Sequence, residues 1–192
     1  MLALAFCLLP LCSRATTVIA PDFDSLVSQA DYVVRATVKS VNAEWRTDGA
    51  NRHIITKVEL TVSEVIKGAP PTPLVLEILG GRIGQTTMVV DGAPKFNVGD
   101  ENILFVHGNG HQFVPLVALT YGKYAVSRDS ASGADIVLRS NGSPLYDVKD
   151  VAQPLTAASA QSATRPLTAA EFAGKIRASV STHQPPPPAN AN

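Results

Sequence analysis

Apolar residues change their spacing repeatedly along this chain, and each change marks an element. Across residues 22–30, Phe23, Leu26, Val27 and Ala30 recur at i, i+3, i+4 and i+7, the stripe of a short helix with Asp22 placed to cap it. The period then drops to two. Tyr32, Val34, Ala36 and Val38 alternate with Val33, Arg35, Thr37 and Lys39, as in a half-buried strand, and a polar loop follows with Trp45 at its start and Asp48-Gly49 within it. Residues 53–67 predict a long second strand with Ile54, Thr56, Val58, Leu60 and Val62 on one face. The alternation slips at Val65, and a β-bulge near Ser63-Glu64 would restore it and bend the strand.

Further strands are predicted over 74–79 and 87–90, closed by Gly80-Gly81 and Asp91-Gly92 respectively. Residues 103–106 are apolar on both parities, which places them centrally in a sheet. Asn109-Gly110 is a hairpin signal, and Pro115 confines 113–119 to an edge or a bulge. Residues 123–127 and 136–139 complete the set. Near the end, Thr168 and Glu171 have capping-box spacing, Leu167 and Phe172 occupy the staple positions, and Phe172, Ile176 and Val180 form one stripe. Many short strands with frequent turn signals, framed by helices, predict a mainly β fold.

The ends of the chain are of different composition. Residues 1–11 form an apolar run followed by Cys12-Ser13-Arg14-Ala15, the order of a cleaved secretory leader over 1–15. The run is too short for the ~20 residues that span a bilayer, and Pro10 interrupts it; a buried N-terminal strand or helix is the alternative reading. The remaining divisions are a β domain over 22–150, a linker over 151–165, a helix over 166–181 and a Pro-rich tail over 182–192 with Pro185 to Pro188 in succession. Cys7 and Cys12 both lie in the leader, so the mature domain has no thiol and rests on an ordinary core. Leu11 stands where a lipid-anchor signal carries a small residue. Removing the leader takes away Arg14 and leaves 15 basic against 16 acidic residues, with aromatics at 6%, which disfavours a nucleic-acid groove. The expected compartment is periplasmic or extracellular, with no transmembrane segment in the mature chain.

The order of short helix, Ala30-Asp31, alternating strand, loop, long strand and Lys67-Gly68 resembles the netrin-type modules and the N-terminal domain of the tissue inhibitors of metalloproteinases. A later run, Asn102 to Val106, is similar as well, and the likeness covers roughly residues 22–106. It implies an OB-like β-barrel, closed or partly open, with an N-terminal short helix and a C-terminal helix. A second likeness, over most of 30–126, is to a family of uncharacterised secreted bacterial proteins. It rests on Trp45, Ile55-Thr56, Lys67-Gly68, Gly80-Gly81, Gly92-Ala93-Pro94 with Phe96 and Gly99, and Ile103 to Val106. This resemblance implies fold and export but no activity. The inhibitors begin with a disulfide-held cysteine; the mature domain here has none, so their inhibitory chemistry does not carry over.

Candidate chemistry is sparse. His107 and His111 are four apart, a metal-binding spacing on a helix, but the glycines and Asn109 between them make the segment a turn. Gly80-Gly81-Arg82-Ile83-Gly84 lacks the helix that a phosphate loop requires directly behind it. Asp100 and Glu101, adjacent on a strand, point to opposite faces and cannot share a proton. No serine lies in a nucleophile-elbow context. Trp45, His107 and His111 are therefore candidate binding residues, no catalytic or metal-ligating set is assigned, and no cofactor is expected. These features point to an exported binding or interaction module whose partner is a protein or glycan of the cell envelope. A secreted hydrolase or protease inhibitor, or a structural accessory domain of an envelope assembly, is the alternative.

Overall fold

The computed structural model describes residues 19–156 and 165–183. The leader, the middle of the expected linker and the expected Pro-rich tail from residue 184 onward lie outside the described residues, while residues 182 and 183 of that tail belong to the last helix. The fold is mainly β, with a short helix at each end. Helix α1 (Phe23–Gln29) is capped by Asp22, whose Oδ1 accepts from Ser25 N at 2.7 Å. Strands β1 (Tyr32–Asp48) and β2 (Asn51–Lys67) form a long antiparallel hairpin through Gly49 and Ala50. Next come β3 (Leu74–Leu79), a small hairpin of β4 (Gly81–Ile83) and β5 (Thr86–Met88), then β6 (Glu101–Val106), β7 (Lys123–Arg128), β8 (Asp135–Arg139) and helix α2 (Ala169–His183).

Six strands make one antiparallel sheet in the order β3-β2-β1-β6-β7-β8, while β4 and β5 pair with each other. Its edges, β3 and β8, do not pair, so the sheet does not close strand to strand into a barrel. A segment around Phe113 lies between β3 and β6 instead. Leu79 N donates to Phe113 O at 2.7 Å, and on the other side His107 N donates to Pro115 O and Val117 N to Phe105 O. The Asn109 side chain joins the same edge, donating to Val75 O and accepting from Glu77 N. Residues 113–119, expected as a strand, make a single bridge at Leu116 opposite Val106.

The expected bulge is present. Arg35 faces Glu64 and Ala36 faces Val62, which leaves Ser63 unpaired in the ladder with its hydroxyl donating to Arg35 O. Val65 thereby returns to the face of Val62, opposite Val34, although it remains half exposed at the sheet end. Further register shifts lie opposite Val33–Val34 and between Val38 and Ser40 of β1 itself, bending the hairpin.

Because the sheet is covered on both faces, it carries two cores. Val33, Ile103, Phe105, Tyr124 and Val137 pack against α1 and α2 through Leu26, Val27, Phe172 and Ile176. Val34, Ala36, Val58, Leu60, Leu76, Leu104 and Val106 form the second core on the concave side. Strand β6 sits between β1 and β7 and is buried from Asn102 to Val106, as its two-sided apolar pattern predicts. A 3-10 turn over Val148–Ala152 buries Val151 against the helical side, so the first residues of the expected linker belong to the fold. Among the described residues, no helix is long and apolar enough to cross a membrane.

Candidate functional site

Lys67-Gly68, prominent in the sequence, is a structural hub. The Lys67 ammonium donates to Val27 O, Ser28 O and Ala30 O at 2.5 to 3.1 Å, satisfying the carbonyls at the end of α1. Gly68, at φ +71°, lets the chain pass so close to β1 that a Cβ would lie 2.3 Å from Asp31 O. Asp31 in turn accepts from Gly108 N at 2.8 Å and meets His107 Nδ1 at 3.2 Å. The Gly108 N–H holds this carboxylate below its usual range, with His107 adding to the effect against partial desolvation. His107 thus anchors a turn to the start of β1.

The other two candidates lie elsewhere. Trp45, expected on a loop, lies within β1 opposite Ile54, and the Arg52 guanidinium stacks 4.2 Å from its ring centroid. Its strand persists because β2 pairs with it to the hairpin tip. His111 lies on the exposed turn after β6 and joins a polar cleft of about 330 Å³. That cleft also holds His53, which the sequence did not single out: a lone histidine at the start of a strand carries no spacing signal. His53 Nε2 lies 3.2 Å from Asp48 Oδ2. Arg46 and Glu77 form a two-pronged pair at 2.7 Å for each contact, which holds the Glu77 carboxyl below its ordinary range. The lining has no hydroxyl or thiol side chain, so it supplies no serine-, threonine- or cysteine-type nucleophile. Trp45, His107 and His111 are not brought together. Among the described residues, no group of three or more His, Cys, Asp or Glu is arranged to hold a metal ion.

A larger cleft, of about 390 Å³, opens on the concave face of the same hairpin. One wall is the sheet, through Val41, Thr56, Val58 and Ile78; the other is the excursion between β3 and β6, through Met88, Val90, Ala93 and Phe96. Gly80-Gly81, expected as a bend, makes this excursion possible. At Gly81 a Cβ would lie 2.4 Å from Thr56 Oγ1 and 3.3 Å from Ala43 Cβ, so the chain crosses the sheet there without a side chain. Thr56 Oγ1 donates to Gly80 O at 2.6 Å, and Gly80 N donates to Ile54 O at 2.8 Å, which pins the crossing. The strand expected over 87–90 is found as β5, over Thr86–Met88, paired with β4 in a small separate hairpin rather than added to the six-stranded sheet. Lys123 tethers the excursion, donating to Lys95 O at 2.8 Å with its ammonium 5.0 Å from the Phe96 ring centroid.

Sequence reasoning named parts of this wall, in the Gly80-Gly81 and Gly92-Ala93-Pro94-x-Phe96 runs, without showing that they converge. No family model, curated protein or solved structure matches the chain.

Proposed function

We propose that the protein is an exported binding module of the cell envelope, with a ligand site in the concave cleft. The observation that carries this reading is the cleft itself: a preformed apolar space between the sheet and the pinned excursion. Its size falls within the ~300–1,000 Å³ of small-molecule sites, and a few polar groups stand at its edge. The polar cleft supports hydrolysis less well, because Arg46 and Glu77 satisfy each other and no hydroxyl or thiol in its lining faces His53.

An OB-like barrel remains the architecture we propose. In that reading the segment around Phe113 serves as a stave between β3 and β6, its contacts to both supplying what a regular strand would. The likeness to netrin-type modules and to secreted bacterial proteins supports the same proposal, and export follows from the apolar leader.

The test is a titration of the ¹⁵N-labelled full chain with the neutral fluorophore N-phenyl-1-naphthylamine, followed by amide shifts. Saturable shifts confined to the cleft lining, at residues 41, 56, 58, 78–82, 87–90 and 93–97, are expected. Shifts that are absent, or that centre on His53 and His111, would overturn the assignment of the site.

A further inference from the structure

Building on the concave cleft as the ligand site, we infer that its occupant is an anionic amphiphile: a free single-chain carboxylate, apolar body inward and head at the rim. The apolar body is matched by Val58, Ile78, Met88, Val90 and Phe96. The head is matched by charge. The charged residues in the lining are Arg82 and Lys95, and none of the lining residues is a carboxylate.

This imbalance departs from the β1–β2 hairpin beside it. Arg35, Lys39, Arg46 and Lys57 each meet a glutamate at 2.6 to 2.8 Å. Arg82 spends its Nε on Gly84 O at 3.0 Å, which leaves its two terminal nitrogens without a partner among the described residues. Those nitrogens present the planar fork that pairs with a carboxylate. Lys95 is likewise without a carboxylate partner among the described residues, and its carbonyl is tethered by Lys123, which holds that strip of chain in place. The cations of that hairpin are held by glutamates or, at Arg52 and Lys67, by the Trp45 ring and by backbone carbonyls, whereas two cations without a carboxylate border the apolar cleft, an arrangement complementary to an anion with an apolar body.

Three probes of equal chain length separate the terms: dodecanoate, dodecanol and dodecyltrimethylammonium, each below its micelle concentration, measured by displacement of N-phenyl-1-naphthylamine and by calorimetry. Dodecanoate is expected to bind at least tenfold more tightly than the other two, with a preference that shrinks as salt is raised. In the R82Q/K95Q variant, both exposed positions, the preference is expected to vanish while dodecanol affinity is unchanged. Equal binding of dodecanoate and dodecanol, a preference for the cation, or a preference retained in R82Q/K95Q would overturn the inference and leave the cleft standing as a site. Failure of all three probes while the neutral fluorophore still shifts the cleft lining would also overturn it. Failure of the fluorophore as well would overturn the site assignment.

Discussion

At the scale of single residues, the strongest constraint is steric. Gly68 combines φ +71° with a close approach to Asp31 O, whereas Gly49, in the hairpin tip, has φ +59° and open space where its Cβ would lie. Both alanine variants incur the left-handed penalty of about 1–2 kcal/mol, and Gly68→Ala must in addition displace the backbone that carries Asp31. Chemical denaturation is expected to show a clearly larger loss for Gly68→Ala than for Gly49→Ala. Equal losses would mean that the close approach costs nothing. The sequence displays the Lys67-Gly68 pair but not its work, because the carbonyls that Lys67 caps lie on α1, far back along the chain. Trp45 was illegible as a strand residue for a different reason: Val41, Ala43 and Trp45 do alternate with Ser40, Asn42, Glu44 and Arg46, but the register shift between Val38 and Ser40 moves the apolar set to the other parity, which breaks the run that began at Tyr32.

Among the elements, α2 is where local signals and tertiary packing agree most closely. Its capping box forms as spaced: Glu171 N donates to Thr168 Oγ1, and Thr168 N donates back to Glu171 Oε2 at 2.9 Å. Arg165 adds two further contacts, and chiefly through them the Glu171 carboxyl is lowered from 4.5 to about 2. A carboxyl whose folded pKa lies below its unfolded value stabilises the fold above the unfolded value and ceases to as pH falls through the folded one. The stability gap between wild type and Glu171→Gln is therefore expected to be full above pH 4.5 and to close toward pH 2. A gap independent of pH in urea titrations would show that the carboxylate charge contributes nothing. On the inward face, Phe172 is fully buried, with ring centroids 5.0 Å from Tyr124, 5.9 Å from Phe23 and 6.0 Å from Phe105. Phe172→Ala is expected to cost about 3–5 kcal/mol, read from the same titrations. A loss below about 1 kcal/mol would place α2 outside the cooperative unit. The small β4–β5 hairpin shows the opposite case: a strand-like pattern over 87–90 says nothing about which sheet the strand joins, and the crossing at Gly81 decides it.

For the molecule as a whole, the alternating pattern foretold a sheet, and the two-sided burial of β6 foretold its middle, but not how the two faces are shared out. One face is closed by α1, α2 and the 3-10 turn, and the other curls around the concave core and the cleft. The helix expected to stand beyond a linker is thus an integral part of one core. Export is checked by mass spectrometry of envelope fractions, where no mature peptide spanning residues 8–11 is expected; recovery of that peptide on the mature protein would sink the leader assignment. The division of labour between the faces carries a sharper consequence. The two cores lie on opposite sides of the sheet, where neighbours such as Val33 and Val34, or Leu104 and Phe105, point apart, and the segment 114–119 contributes to both. Ending the chain before Thr168 would expose Phe105, Tyr124, Val137 and Phe23 together, an apolar area no isolated sheet face tolerates in water. The truncated chain is therefore expected to lose cooperative unfolding and to bind hydrophobic dyes broadly, although every residue lining the cleft is retained. If it instead melts cooperatively within a few degrees of the full chain and still shows shifts confined to the cleft lining with the neutral fluorophore, the β domain folds alone and α2 is an appendage to it.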